Sequence, residues 1–205
     1  MGSVIVITSG KGGTGKTSLT GGVGASLALL GKQVLCLDGD VGLRNLDITL
    51  GMTDAALMDF SDVMAGRCDL SRAAVPHPTV SGLHLLTAPL TLPGDFPGEA
   101  GFQALLQQAR EAYDYVLIDP PAGLGPGFRL AVCGADRAIV VAVSDPSSLR
   151  DAQRVVTQLS QLETIHLVVN RVRPRLLRRQ NTTIDDAMDT AGLPLLGLVP
   201  EDPKV

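Results

Sequence analysis

Residues 4–20, VIVITSGKGGTGKTSLT, constrain this chain more than any other stretch. Gly10, four intervening residues and then Gly15-Lys16-Thr17 make a phosphate-binding P-loop pattern. The β-branched run Val4 to Ile7 precedes it and a small-residue, apolar helix-forming segment follows. The pattern carries meaning only in such a strand–loop–helix setting. Glycines at 12, 13 and 15 let backbone N–H groups approach phosphate oxygens with no Cβ between, and a helix starting near Lys16 aims its positive dipole end at the same anion. Lys16 then reaches the β and γ phosphates and the Thr17 hydroxyl ligates Mg2+. The plainer reading, a glycine-rich turn between a strand and a helix, is disfavoured by that setting.

Apolar runs alternate with helix-like segments along the rest of the chain. Strands are expected over 4–8, 34–38, 83–87, 115–119, 138–143, 165–170 and 195–199, most of them unbroken runs of Val, Ile and Leu of the kind covered on both faces. Helices are expected over 16–30, 55–65, 99–112, 126–134, 147–162 and 182–191. This alternation predicts an α/β fold: a doubly wound, mostly parallel sheet with helices on both faces and phosphates held at the carboxyl ends of the strands. At 205 residues, with 45% hydrophobic and 19% charged content, the chain suits one globular domain spanning 1–205. In the first helix Gly21, Gly22 and Gly24 weaken intrinsic stability and are tolerable where the helix packs closely on the sheet; Gly31 ends it. Residues 53–65 suggest a short helix started by Thr53 or Asp54 and stopped by Gly66, with Asp59 and Asp62 on a solvated face.

Other features exclude more than they assign. Cys36, Cys68 and Cys133 form no CxxC pair, which argues against zinc or iron–sulfur ligation and suits buried thiols of a reducing compartment. A core strand at the N-terminus leaves no room for a signal peptide, and no apolar run reaches membrane-span length, so a cytoplasmic location is expected. The net charge of −4 offers no global attraction to nucleic acid or anionic lipid. The proline-rich stretch to residue 98 says little about chemistry, and His77 and His84, without partners at useful spacing, suit structural or exposed positions.

Carboxylates at strand ends extend the phosphate site. Asp119 closes the run Val116-Leu117-Ile118 in the Walker B manner, where it anchors the magnesium hydration shell. Asp38 and Asp40 stand at the end of VLCLD, within reach of Mg2+ and an attacking water, although an Asx turn ending the strand explains Asp40 as well. Lys11 gives the loop a second cation; it is either a solvated loop lysine or a group that needs an anion nearby.

The loop KGGTGKT and the stretch DGDVGLRNLD resemble the MinD/ParA family of deviant Walker A ATPases. This resemblance implies ATP and Mg2+ as cofactors, and an ATP-dependent dimerising switch in cell-division site selection with slow hydrolysis to ADP. It implies that Lys11 reaches across a homodimer to the partner's phosphates, that Asp38 and Asp40 support the metal and the hydrolytic water with Asp40 orienting the water, and that Asn170, Pro200 and Asp202 line the base pocket. The catalytic set is then Lys11, Lys16 and Asp40; the metal set Thr17, Asp38 and Asp119; the nucleotide loop Gly10, Lys11, Gly12, Gly13, Thr14, Gly15, Lys16, Thr17 and Ser18. The implied partners are a septum inhibitor, a topological-specificity protein and, through the family's amphipathic C-terminal helix, the membrane surface, although no such helix is expected from the letters after Val199. After Asp119 the family commonly has serine and proline, whereas this chain has Pro120-Pro121.

Two segments stay open between readings. Asp145 to Asp151 resembles the family's dimer and partner face, yet a helix N-terminus rich in Asp and Ser explains the same letters. Arg171, Arg173, Arg175, Arg178 and Arg179 suit a solvated loop or an anionic partner such as a membrane or DNA backbone. The alternatives to the switch are a ParA-like partition or cargo-positioning ATPase acting on DNA, and a P-loop transferase or ligase acting on a small molecule.

Overall fold

A computed structural model of the chain describes residues 1–173 and 183–202. Its organising unit is an eight-stranded sheet. The strands are β1 (Ser3–Thr8), β2 (Val34–Asp38), β3 (Val75–Pro76), β4 (Leu83–Leu86), β5 (Tyr115–Asp119), β6 (Arg137–Val143), β7 (Thr164–Val172) and β8 (Leu195–Pro200). They lie in the order β3-β4-β2-β5-β1-β6-β7-β8. Every pairing is parallel except the short β3–β4 one. Because β1 sits between β5 and β6, the chain winds outwards from it in both directions, and the P-loop that follows β1 lies at the switch point where such sheets bind ligands.

The helices are α1 (Lys16–Leu29), α2 (Leu46–Thr49), α3 (Phe60–Met64), α4 (Leu70–Ala73), α5 (Gly98–Ala112), α6 (Pro126–Val132), α7 (Pro146–Gln158) and α8 (Ile184–Ala191). Alternate side chains of one strand enter different cores: Val116 and Ile118 of β5 pack with Phe60, Phe102 and Phe128, while Leu117 packs with Ile7, Cys36 and Leu85 on the α1 side. Burial on both faces accounts for the unbroken apolar runs and confirms the expected doubly wound α/β class.

Glycines in α1 allow its close seat. A Cβ on Gly24 would stand 2.5 Å from Cys36 Sγ, and one on Gly21 3.1 Å from Thr49 Cγ2, whereas Gly22 faces open space. The backbone turns left-handed at Gly31, with φ 82°, as its helix-ending role requires.

The helix expected over 55–65 is shorter. Asp54 has φ 59° and breaks any helix begun at Thr53 or Asp54. The N-cap is Asp59, whose carboxylate accepts from Ser61 and Asp62 N–H while Asp62 returns a bond to the Asp59 N–H, so these residues form a capping box instead of a solvated face. The stop at Gly66 holds, with φ 69°. The helix expected over 147–162 ends at Gln158, and α2, α4 and β3 were not signalled by periodicity because each is four residues or fewer. Of the three cysteines only Cys36 is buried; Cys68 and Cys133 are half-buried, and all three are free thiols. His77 is structural: Nε2 bonds Leu50 O at 3.0 Å and Nδ1 accepts from Thr79 and Val80 N–H. His84 stacks edge-on to Tyr113.

Candidate active site

The P-loop leaves β1 at Ser9 and enters α1 through Gly15. Gly13 and Gly15 have φ 79° and 88°, a region L residues avoid. Two further approaches need glycine: a Cβ on Gly10 would stand 2.3 Å from the Asp151 carbonyl oxygen of α7, and one on Gly15 would stand 2.2 Å from Asn170 Nδ2. Helix α7 and strand β7 thus clasp the loop from outside. Asn170 donates from Nδ2 to Thr14 O at 2.8 Å, and its Oδ1 accepts from Arg171 N–H at 2.9 Å.

The two lysines adopt opposite postures. Lys16 is buried, and its ammonium donates to Asp119 Oδ1 at 3.0 Å, an oxygen that also accepts from Thr20 Oγ1 at 3.3 Å. Lys11 is exposed and reaches 3.2 Å to Ser147 Oγ, which in turn donates to Asp145 Oδ1 at 2.6 Å. Asp145 is the N-cap of α7, and the Ser147 hydroxyl, the Ser147 and Ser148 N–H groups and the charge of Lys11 hold its carboxyl below the usual range. The helix-cap reading of residues 145–151 holds, and the same cap receives the loop's second lysine.

Asp38 and Asp119 are cross-strand neighbours at the ends of β2 and β5, and Gly39 N–H donates to Asp119 O at 2.9 Å. Asp38 is buried. Its Oδ1 accepts from Asp40 N–H at 2.9 Å and its Oδ2 from Leu46 N–H at 3.0 Å. Burial pushes its carboxyl up to about 6, with the two amides opposing and Asp119 and Asp40 adding. Asp40 is half-buried. Its pKa is raised by burial, against the pull of Lys16 and with a push from Asp119, and its carboxylate takes no hydrogen bond from the described residues. Beside it opens a cavity of about 380 Å3, walled by Val41, Leu92, Phe96, Pro121 and Leu130. Helix α6 presses on the loop after β5, since a Cβ on Gly127 would lie 2.6 Å from Pro121 Cγ.

These groups fit a magnesium nucleotide. A buried ammonium stands at a left-handed glycine loop heading a helix, the Thr14 Oγ1 is buried without a hydrogen-bond partner among the described residues, and the oxygen donors of Thr17 and Asp119 suit a hard cation that keeps most of its waters and phosphate ligands. Thr17 is half-buried and Ser18 exposed on the first turn of α1. Pro200 and Glu201 follow β7's carboxyl end through β8, where Glu201 N–H donates to Val172 O at 3.1 Å; Asp202 lies just beyond and is exposed. Arg173 pairs with Glu201, Arg171 has φ 52°, and Arg175, Arg178 and Arg179 lie outside the described residues. Thr20 joins the site without any signal in the sequence; the segment from Asp145 to Asp151 was singled out, but nothing in spacing ties Ser147 to Lys11. No helix among the described residues is long and apolar enough to cross a membrane.

Comparison with known proteins places these features in a family. The profile of the CobQ/CobB/MinD/ParA nucleotide binding domain matches residues 5–205. The septum site-determining protein MinD of Bacillus subtilis is 41% identical over 210 residues, which cover 100% of this chain and 78% of that protein. Among solved structures, the MinC:MinD cell division protein complex of Aquifex aeolicus superposes with TM-score 0.90 at 38% identity, covering 98% of this chain and 82% of that one. MinD of Pyrococcus horikoshii complexed with Mg-ADP gives TM-score 0.83 at 31% identity, covering 99% and 83%.

Proposed function

The chain belongs to the MinD group of the CobQ/CobB/MinD/ParA nucleotide-binding family, and from that premise we propose how its residues run a cell-division site-selection ATPase that uses ATP and Mg2+. The observation that carries the proposal is the pair of lysines in one loop, one buried against Asp119 and one exposed and reaching outward to α7.

Lys16 exchanges its carboxylate partner for the β and γ phosphates, and the amides of residues 12–16 cradle them. Thr17 and Asp119 would hold the metal shell, and Mg2+ bound there would supply neutralisation of the charge developing on the phosphate oxygens. Asp40, whose carboxylate takes no hydrogen bond from the described residues, orients the attacking water in line with the γ phosphate. Asn170 ties the base side of the site to the loop through Thr14 O, with Pro200 and Asp202 lining the same side. Lys11 leaves Ser147 and serves the phosphates of a second copy, so that ATP assembles a homodimer and hydrolysis releases it. A septum inhibitor of the MinC type reads that dimer, a pairing supported by the existence of a MinC:MinD complex in Aquifex aeolicus, and a topological-specificity protein triggers its turnover.

Light-scattering mass in ADP and in ATP with Mg2+ tests this, with Asp40→Ala blocking turnover. Doubling in ATP that is lost in Lys11→Ala supports the switch. A single mass in both nucleotides, with ATP binding intact, removes the dimer from the reading, and normal turnover in Asp40→Ala removes Asp40 as the water-orienting group.

A further inference from the structure

The loop that carries Asp40, residues 39–45, runs between β2 and α2 and contains two left-handed residues, Gly42 at φ 93° and Arg44 at φ 49°. Loops of this kind are drawn from the least stable part of a fold, yet a group that orients water must be held closely. What holds this one is at its base. Asp38 accepts from the N–H of Asp40 through Oδ1 and from the N–H of Leu46, the first residue of α2, through Oδ2. One buried carboxylate therefore staples both ends of the loop, and its own position is fixed by the strand pairing of β2 with β5 and by the Gly39 N–H bond to Asp119 O. Other bonds are longer and internal to the loop, with Asp40 O accepting from Leu43 and Arg44 N–H at 3.3 Å and Gly39 O from Val41 N–H at 3.2 Å, or are farther from Asp40: Gly42 N–H to Pro89 O at 3.1 Å and Arg44 Nη2 to Thr87 Oγ1 at 3.1 Å.

The neighbouring carboxylates are differently placed. Asp119 spends one oxygen on Lys16 and Thr20, and its other oxygen takes no hydrogen bond from the described residues. Asp40 takes none at either. Both are available to a hydrated metal or to water, whereas turning Asp38 towards a metal would strip a buried N–H of its acceptor, a costly exchange.

We infer that Asp38 is a positioning residue, a clamp on the loop that sets Asp40, and not a group of the metal shell. This inference rests on the reading of Asp40 as the water-orienting residue, but the clamp can be measured without that reading. In the wild-type protein without nucleotide, hydrogen exchange followed by NMR should show the Asp40 and Leu46 amides protected, although they sit at the ends of a loop. Exchange at unstructured rates overturns the clamp with no variant needed. Asp38→Asn keeps the shape but offers an N–H2 to one of the two amides, so exchange across 39–46 should rise roughly tenfold or more. In turnover, kcat should fall while the KM for ATP and the Mg2+ concentration giving half-maximal rate stay as in wild type. A raised Mg2+ requirement with unchanged exchange would assign Asp38 to the metal and overturn the inference; no change in either would also overturn it. Asp40→Ala serves as the separate control: should it retain turnover while Asp38→Asn still frees the loop, the clamp stands and the reading of Asp40 fails.

Discussion

At the residue scale, the phosphate loop is shaped as much by what surrounds it as by its own glycines. Gly15 is left-handed and also has no room for a side chain, because Asn170 Nδ2 occupies the place of a Cβ. Alanine there meets a backbone penalty of about 1–2 kcal/mol together with that clash. Gly15→Ala should therefore abolish binding of a fluorescent ATP analogue while far-UV circular dichroism remains that of the native fold. Asn170→Ala removes the bond to Thr14 O without any clash, and should weaken the same analogue roughly tenfold. Equal binding by Asn170→Ala and wild type would show that the clasp on the loop is dispensable.

At the element scale, caps and strand ends carry the electrostatics. The capping box of α3 uses Asp59 and Asp62, and Asp59→Ala should lower stability by about 0.5–2 kcal/mol in urea unfolding. Asp136 joins three elements: it accepts from Val4 N–H of β1 at 2.8 Å and from Arg110 of α5 at 2.6 Å, and it stands just before β6. Burial works against its charge, but the Arg110 guanidinium and the Val4 amide outweigh it and hold the carboxyl below the usual range. Since the unfolded value is about 3.9, the unfolded chain takes up the proton first. The stabilisation is thus complete above about pH 4 and is lost as pH falls through the folded value. Arg110→Ala should lose roughly 1–3 kcal/mol near neutral pH and progressively less as pH falls below about 4, as read from denaturant midpoints. A pH-independent loss would assign the effect to packing of the arginine stem and to its 2.8 Å bond to Gly134 O.

At the scale of the whole molecule, the phosphate loop touches β7 and α7 from one side and β5 from another, so ligand binding should tighten both halves of the sheet. Mg-ADP at a hundredfold excess over its dissociation constant should add about 2.7 kcal/mol to folding stability, seen as a raised Tm. Lys16→Ala should abolish that rise, and with it the buried pair with Asp119, leaving Asp119 without its cation. A rise of undiminished size in Lys16→Ala would place the nucleotide elsewhere.

The doubly wound class, seven strands and the P-loop were legible in the letters because they depend on local spacing: β-branched runs, a glycine pattern and a lysine at a fixed offset. The carboxylates at strand ends were legible for the same reason, since parallel strands all end on the sheet edge that carries the phosphate loop. The start of α3 was misplaced because Thr53, Asp54 and Asp59 are all good caps, and only the backbone at Asp54 chooses among them. The sequence by itself determined that a phosphate site with nearby aspartates exists, as these are consequences of short-range geometry. Only the tertiary structure decided which carboxylate oxygens are already taken by backbone amides, that Lys11 rests on a serine 136 residues away, and that Asn170 holds the loop from across the sheet. Those contacts join residues whose nearness is created by strand order, and strand order is set by burial of both sheet faces together, a property of the whole chain that no local pattern encodes.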